Sequence, residues 1–254
     1  MHTTRTRIRA ALFGLAMLLA PTAGALAAGT CPVTPPAAPF TLQHLRSAVS
    51  HGMEAVIVAL GSSSTQGAMA SDLAHSYPAT LQKVLSAGLP QAHVAVINRG
   101  IGGQDAAEEL SRLESDVLAI RPQLVIWQVG ANGALRNADP AAFHALVAEG
   151  VRRLQKSGAD VILMDNQQSP ALLAKLQEPV FDQTLARVAD ETGATLFSRR
   201  GLMKAWQREG APLEAFIAPD GLHHNDHGYY CIAQSLAHSI VAGLAPRQPL
   251  SASR

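Results

Sequence analysis

The sequence has a single long apolar run, and it lies at the N-terminus. No second run approaches the roughly 20 apolar residues of a membrane span, so the chain beyond its leader does not read as a membrane protein. Charge of one sign is also lacking. Taking away the leader's Arg5, Arg7 and Arg9 leaves 17 basic residues against 19 acidic ones, a net charge of about −2, which offers no electrostatic case for nucleic acid as a partner. Cysteine is nearly absent: Cys31 and Cys231 can pair in an oxidising compartment, or stand as two unrelated thiols. No internal repeat is present. The Gly61–Gly67 loop has no P-loop lysine, and Gly100-Ile101-Gly102-Gly103 lacks the dinucleotide-binding spacing.

The leader itself has a clear form. Three arginines precede the apolar stretch Ala10–Ala20, and Ala25-Leu26-Ala27 supplies the small-x-small pattern of a cleavage site. The stretch is short for a membrane anchor, and Ala28-Gly29-Thr30 before Cys31 fits a lipobox poorly. The expectation is a signal peptide over residues 1–27 with cleavage near Ala27, and a mature chain that is secreted or periplasmic with no stable membrane span. A Pro-rich, extended lead-in opens residues 28–52, one domain occupies 53–244, and a disordered tail covers 245–254.

Within the domain, short runs that are apolar on both faces recur: Ala55–Leu60, Val94–Ile97, Leu124–Val129, Val161–Met164 and a weaker Thr195–Phe197. Such runs suit buried parallel strands. Between them, Leu110, Leu113, Val117 and Ile120 fall at helical spacing. So do Phe143, Leu146, Val147, Val151 and Leu154, and then Phe181, Leu185 and Val188, with Pro179 suited to a first turn. A last helix is expected after Gly228, carrying Ile232, Leu236 and Ile240. Strand–helix alternation predicts a three-layer α/β/α flavodoxin-like sandwich around a mainly parallel five-stranded sheet.

Ligands of such sheets bind at the carboxyl ends of the strands, and that is where this sequence keeps its unusual residues. The first run ends in Gly61-Ser62-Ser63-Ser64-Thr65, the second in Asn98-Arg99-Gly100-Ile101-Gly102-Gly103 and the third in Gly130-Ala131-Asn132-Gly133. A serine nucleophile needs a base within reach and donors for the oxyanion it creates. Position favours Ser63 of the three serines, although a serine there also serves as a helix cap. Asp220 and His223, three residues apart, let a carboxylate reach one imidazole nitrogen and leave the other facing outward. The N–H of Gly103 and the amide of Asn132 are candidate donors. Thr65 stands where the second glycine of a Gly-x-Ser-x-Gly elbow would be, which argues against a general α/β-hydrolase.

These four blocks, in this order, resemble the SGNH (GDSL-like) hydrolases. The resemblance places the nucleophile at Ser63, with Ser62 where the family usually has aspartate. It places the glycine at Gly103 after Asn98, the asparagine at Asn132, with Gly133 in place of the usual aspartate, and the Asp-x-x-His pair at Asp220 and His223. It implies a Ser63–His223–Asp220 triad and an oxyanion hole of Ser63, Gly103 and Asn132. The implied reaction is hydrolysis of a small-molecule or glycan ester, as a deacetylase or short-chain acyl esterase, with no metal and no organic cofactor. The same site also suits acyl transfer to a sugar. Two rivals are a non-catalytic carbohydrate-binding module and a metal site in the cluster Asp220, His223, His224, Asp226 and His227. Trp127 is expected in the core, Asp165-Asn166-Gln167-Gln168 as a pocket wall or a loop, and His44, His51, His75, His93, His144 and His238 as incidental.

Overall fold

The computed structural model describes residues 30–33 and 40–245. The expected signal peptide and the tail from residue 246 lie outside the described residues. Five strands form one sheet: β1 (Ala55–Gly61), β2 (Val94–Gly100), β3 (Leu124–Gln128), β4 (Asp160–Met164) and β5 (Thr195–Phe197). Their order is β2-β1-β3-β4-β5 and every pairing is parallel. This is the expected flavodoxin-like sheet, and β5 is the short strand that its weak apolar run foretold.

Strand side chains alternate between two cores, as the pleat requires. Ile57, Ala59, Leu124, Ile126, Ile162 and Met164 face one cluster, while Val58, Leu60, Val125, Trp127, Val161 and Leu163 face the other. The helices are α1 (Gln43–Ser50), α2 (Ser63–Gln66), α3 (Tyr77–Gly88), α4 (Ala106–Ser111), α5 (Leu113–Asp116), α6 (Ala131–Leu135), α7 (Pro140–Lys156), α8 (Pro170–Leu173), α9 (Glu178–Thr192), α10 (Arg199–Arg208) and α11 (Asp226–Leu244). Helices α1, α3, α10 and α11 cover the first face, and α4 to α9 the second. Trp127 is in the core as expected, with its indole N–H donating to the buried Glu109 carboxyl at 2.7 Å.

Three features differ from the sequence-based expectation. The segment 28–52 carries α1, whose Leu45 and Ala48 are buried in the first core. Its free N-terminal amides are satisfied from far along the chain: the Asp160 carboxylate on β4 accepts from Gln43 N at 3.1 Å and Leu45 N at 2.9 Å. The helical spacing from Leu110 to Ile120 is realised as α4, α5 and a short 3-10 turn, broken at Arg112. The last helix begins at Asp226, with Asn225 as its cap accepting from Gly228 N at 2.8 Å. Cys231 of that helix is disulfide-bonded to Cys31, 200 residues away in sequence.

Candidate active site

The register brings Gly100, Gly61 and Gln128 into line across β2, β1 and β3. The chain departs outward from β1 to β2 and returns through β3 to the other half of the sheet. The crevice above β1 and β3 is therefore the switch point at which such sheets bind ligands.

The turn after β1 holds Ser63 at the start of α2. Gln128, fully buried at the end of β3, braces it from behind: its Oε1 accepts from Ser62 N at 3.3 Å, Ser62 Oγ at 3.4 Å and Thr65 Oγ1 at 3.2 Å. Ser62, at the family's aspartate position, is thus a buried brace. From β2, Asn98 donates its amide to Thr65 O at 2.8 Å, and Gln66 Oε1 accepts from Gly102 N at 3.0 Å. Gly100 packs so closely that a Cβ there would meet Gln66 N at 2.1 Å, which makes glycine obligatory.

His223 meets this turn from the loop before α11. Its Nε2 lies 2.7 Å from Ser63 Oγ and its Nδ1 lies 2.6 Å from Asp220 Oδ2. The other Asp220 oxygen accepts from Leu222 N and His223 N, each at 3.0 Å. Partial burial works to raise the Asp220 pKa, but the hydrogen bonds from His223 and the two amides outweigh it and hold the carboxyl below its usual value. Gln167, in the loop after β4, fixes the same turn by donating to Leu222 O at 2.8 Å. It is itself held by the buried Arg199 guanidinium at 2.7 Å.

The two remaining expected residues adjoin the β2 loop. Gly103 has φ +81°, in the left-handed region, and its carbonyl accepts from Arg136 Nη2 at 2.6 Å. Asn132, near the start of α6, donates one amide hydrogen to Gln104 O at 2.8 Å, which orients the side chain. Neither Ser63 N–H nor Gly103 N–H has a protein acceptor among the described residues. Gly133 lies against the Phe181 ring, where a Cβ would come within 2.6 Å of Cε1. Phe181 fills the space into which the family's aspartate would project.

The neighbouring histidines and acids diverge. His224 is fully buried with Nδ1 at 3.0 Å from Phe216 O. Burial first, then the charge of Arg199, pushes its pKa down to about 3. His227 stacks on Phe216, and Asp226 accepts from Ser71 Oγ at 2.6 Å. Three histidines expected to be incidental have partners: His144 lies 2.7 Å from Glu191, His75 lies 3.2 Å from Asp72, and His51 Nδ1 lies 2.8 Å from Ser47 O. The bracing residues Gln66, Gln128 and Arg136 are not among the candidate site residues of the sequence. Gln128 alone left a signal, as the polar end of an otherwise apolar strand.

Known proteins resemble this chain in sequence and in fold. The sequence model of the non-GDSL lipase-like family matches residues 29–246, and the chain belongs to that family, a group of SGNH/GDSL-like esterases. An arylesterase of Vibrio mimicus is 26% identical over 78% of this chain and 94% of its own length. The esterase TesA of Pseudomonas aeruginosa is 26% identical over 63% of this chain and 75% of its own. Among solved structures, a two-domain esterase active on acetylated mannans superposes with a TM-score of 0.70 at 24% identity. That alignment covers 84% of this chain, which spans 58% of the two-domain protein.

Proposed function

We propose that this chain is an exported serine esterase in which Ser63, His223 and Asp220 form the catalytic triad. Membership of an esterase family makes it a carboxylic ester hydrolase of the SGNH type. The observation that carries the triad is the continuous hydrogen-bonded line from Ser63 Oγ through the two His223 nitrogens to Asp220, with links of 2.7 and 2.6 Å. His223 Nε2 takes the Ser63 proton as the oxygen attacks the ester carbonyl, and Asp220 holds the tautomer and stabilises the imidazolium. The oxyanion that develops is received by Ser63 N–H, Gly103 N–H and the second amide hydrogen of Asn132. The alkoxide leaves with the proton carried by His223. A water then gives its proton to the same nitrogen and attacks the acyl-serine; the Oγ–acyl bond breaks, the acid leaves, and His223 returns the proton to Ser63 Oγ.

The substrate reading is an acetyl or other short acyl ester, on a glycan or a small molecule. The likeness to an esterase active on acetylated mannans supports the glycan arm. Export is supported by the basic-then-apolar leader and by the Cys31–Cys231 bond, which suits an oxidising compartment. The test is turnover of p-nitrophenyl acetate by the mature chain. Ser63→Ala and His223→Ala are expected to lose roughly 10⁴–10⁶-fold in kcat, leaving only the residual rate that the oxyanion hole and substrate binding supply. Ser63→Ala that keeps the parental kcat would exclude the triad.

A further inference from the structure

Arg112 lies at the break between α4 and α5, outside every motif block, and its side chain is only 11% exposed. Its guanidinium makes four directed contacts. Nη2 donates to Gly61 O at 3.1 Å, two residues before Ser63, and to Arg99 O at 2.9 Å, near the end of β2. Nε donates to Gln104 Oε1 at 2.6 Å, next to Gly103. Nη1 donates to Asp116 Oδ2 at 2.9 Å, and the Asp116 carbonyl accepts in turn from Arg99 Nε at 3.2 Å. The main-chain carbonyl of Gln104 is the acceptor that orients Asn132.

We infer that Arg112 is a positioning residue for the oxyanion hole, one planar group that fixes the nucleophile turn, the end of β2 and the Gly103–Gln104 loop at set separations. This rests on the triad reading above. Only the guanidinium geometry does this. Its donors lie in a plane and diverge, so Nε and Nη2 reach acceptors on two different chain segments, whereas a lysine ammonium is a single point on a flexible stem. With the fork gone, Ser63 N–H, Gly103 N–H and the Asn132 amide remain present but lose their mutual spacing. Donors stabilise a developing oxyanion only when they are already aimed at it. The loss is therefore felt in the transition state and not in ground-state binding.

The test uses the mature chain and p-nitrophenyl acetate, with Arg112→Lys, Arg112→Met and Arg112→Gly. We expect kcat to fall roughly 10²-fold in all three, about the effect of losing one oxyanion donor. KM should change less than about threefold, as expected for an interaction made only in the transition state. Millimolar guanidinium ion should raise kcat of Arg112→Gly by about tenfold or more, of the order available to a restored positioning group, and do nothing for Arg112→Lys or for Asn132→Ala. Gln104→Ala, which keeps the carbonyl but removes the acceptor of Nε, should show a smaller loss of the same kind and keeps the inference testable where an Arg112 variant fails to fold. Arg152→Met, which removes a surface arginine, is the control and should match the parent. The inference is overturned if folded Arg112→Lys or Gln104→Ala keeps the parental kcat while Ser63→Ala is inactive. It is also overturned if kcat falls only in step with melting temperature and guanidinium restores nothing. Parental kcat in Ser63→Ala overturns the triad reading, and the inference with it.

Discussion

At the scale of single residues, each candidate donor and base is held by a neighbour chosen for shape as much as polarity. Asn132 is aimed by Gln104 O, so Asn132→Ala removes a donor without leaving a buried charge. Its kcat on p-nitrophenyl acetate should fall roughly 10²–10³-fold with melting temperature nearly unchanged, which steady-state kinetics beside a melting curve will show. Gly133 carries the opposite lesson. Restoring the aspartate common in the family would drive a side chain into Phe181, so Gly133→Asp should destabilise the fold by about 1–3 kcal/mol through overpacking. Chemical denaturation measures that loss, and an unchanged midpoint would contradict it. Ser63, Gly103, Asn132, Asp220 and His223 were legible in the sequence as candidates because each sits in a short strand-end or loop motif. Arg112 was not, because the Gly61 carbonyl it serves lies 51 residues away and no local pattern marks it, and Gln128 left only its polarity at the end of an apolar strand, with the Ser62 amide it holds 66 residues away.

Among the elements, β1, β3 and β4 were legible for a simple reason: a parallel strand buried on both faces must be apolar throughout, whereas the edge strands β2 and β5 are only partly buried. Helices α7 and α9 were legible from their periodic apolar faces. Helix α1 was hidden behind a Pro-rich stretch, and its stability is drawn from elsewhere, from the Asp160 carboxylate 115 residues beyond Leu45. Asp160→Ala should cost about 1–2 kcal/mol, the scale of a lost helix cap, and lower the melting temperature by about 2–8 °C. Amide hydrogen exchange should show faster exchange at Gln43 and Leu45 before any other segment. The break at Arg112 also escaped the apolar spacing, because the residue that ends α4 turns its guanidinium inward to the strand ends instead of continuing the helix.

For the whole molecule, two long-range features set stability. The Cys31–Cys231 bond ties the described N-terminal residues to α11 across 200 residues of chain. Reduction, or Cys31→Ser, should lower stability by about 2–5 kcal/mol and the melting temperature by about 5–15 °C while leaving the Ser63–His223 geometry and kcat in place. The second is the acid pair beside β4 and α9. Burial first, and then the charge of Asp182, raises the Asp165 pKa to about 7, and burial raises that of Asp182 to about 6. The folded chain therefore holds protons that the unfolded chain, titrating near pH 4, has already released, so this pair subtracts stability as pH rises from about 4 to about 7. Asp165→Asn should flatten that fall in a plot of melting temperature against pH, and an unchanged slope would contradict the assignment. The central claim concerns Ser63, and covalent trapping tests it most directly. The mature chain is treated with a serine-reactive phosphonate, the adduct is mapped by peptide mass spectrometry, and residual p-nitrophenyl acetate turnover is followed in parallel. The prediction is one adduct per chain, on Ser63, with activity lost in proportion to labelling. Full activity with Ser63 labelled, or inactivation with the label on another residue, would contradict it.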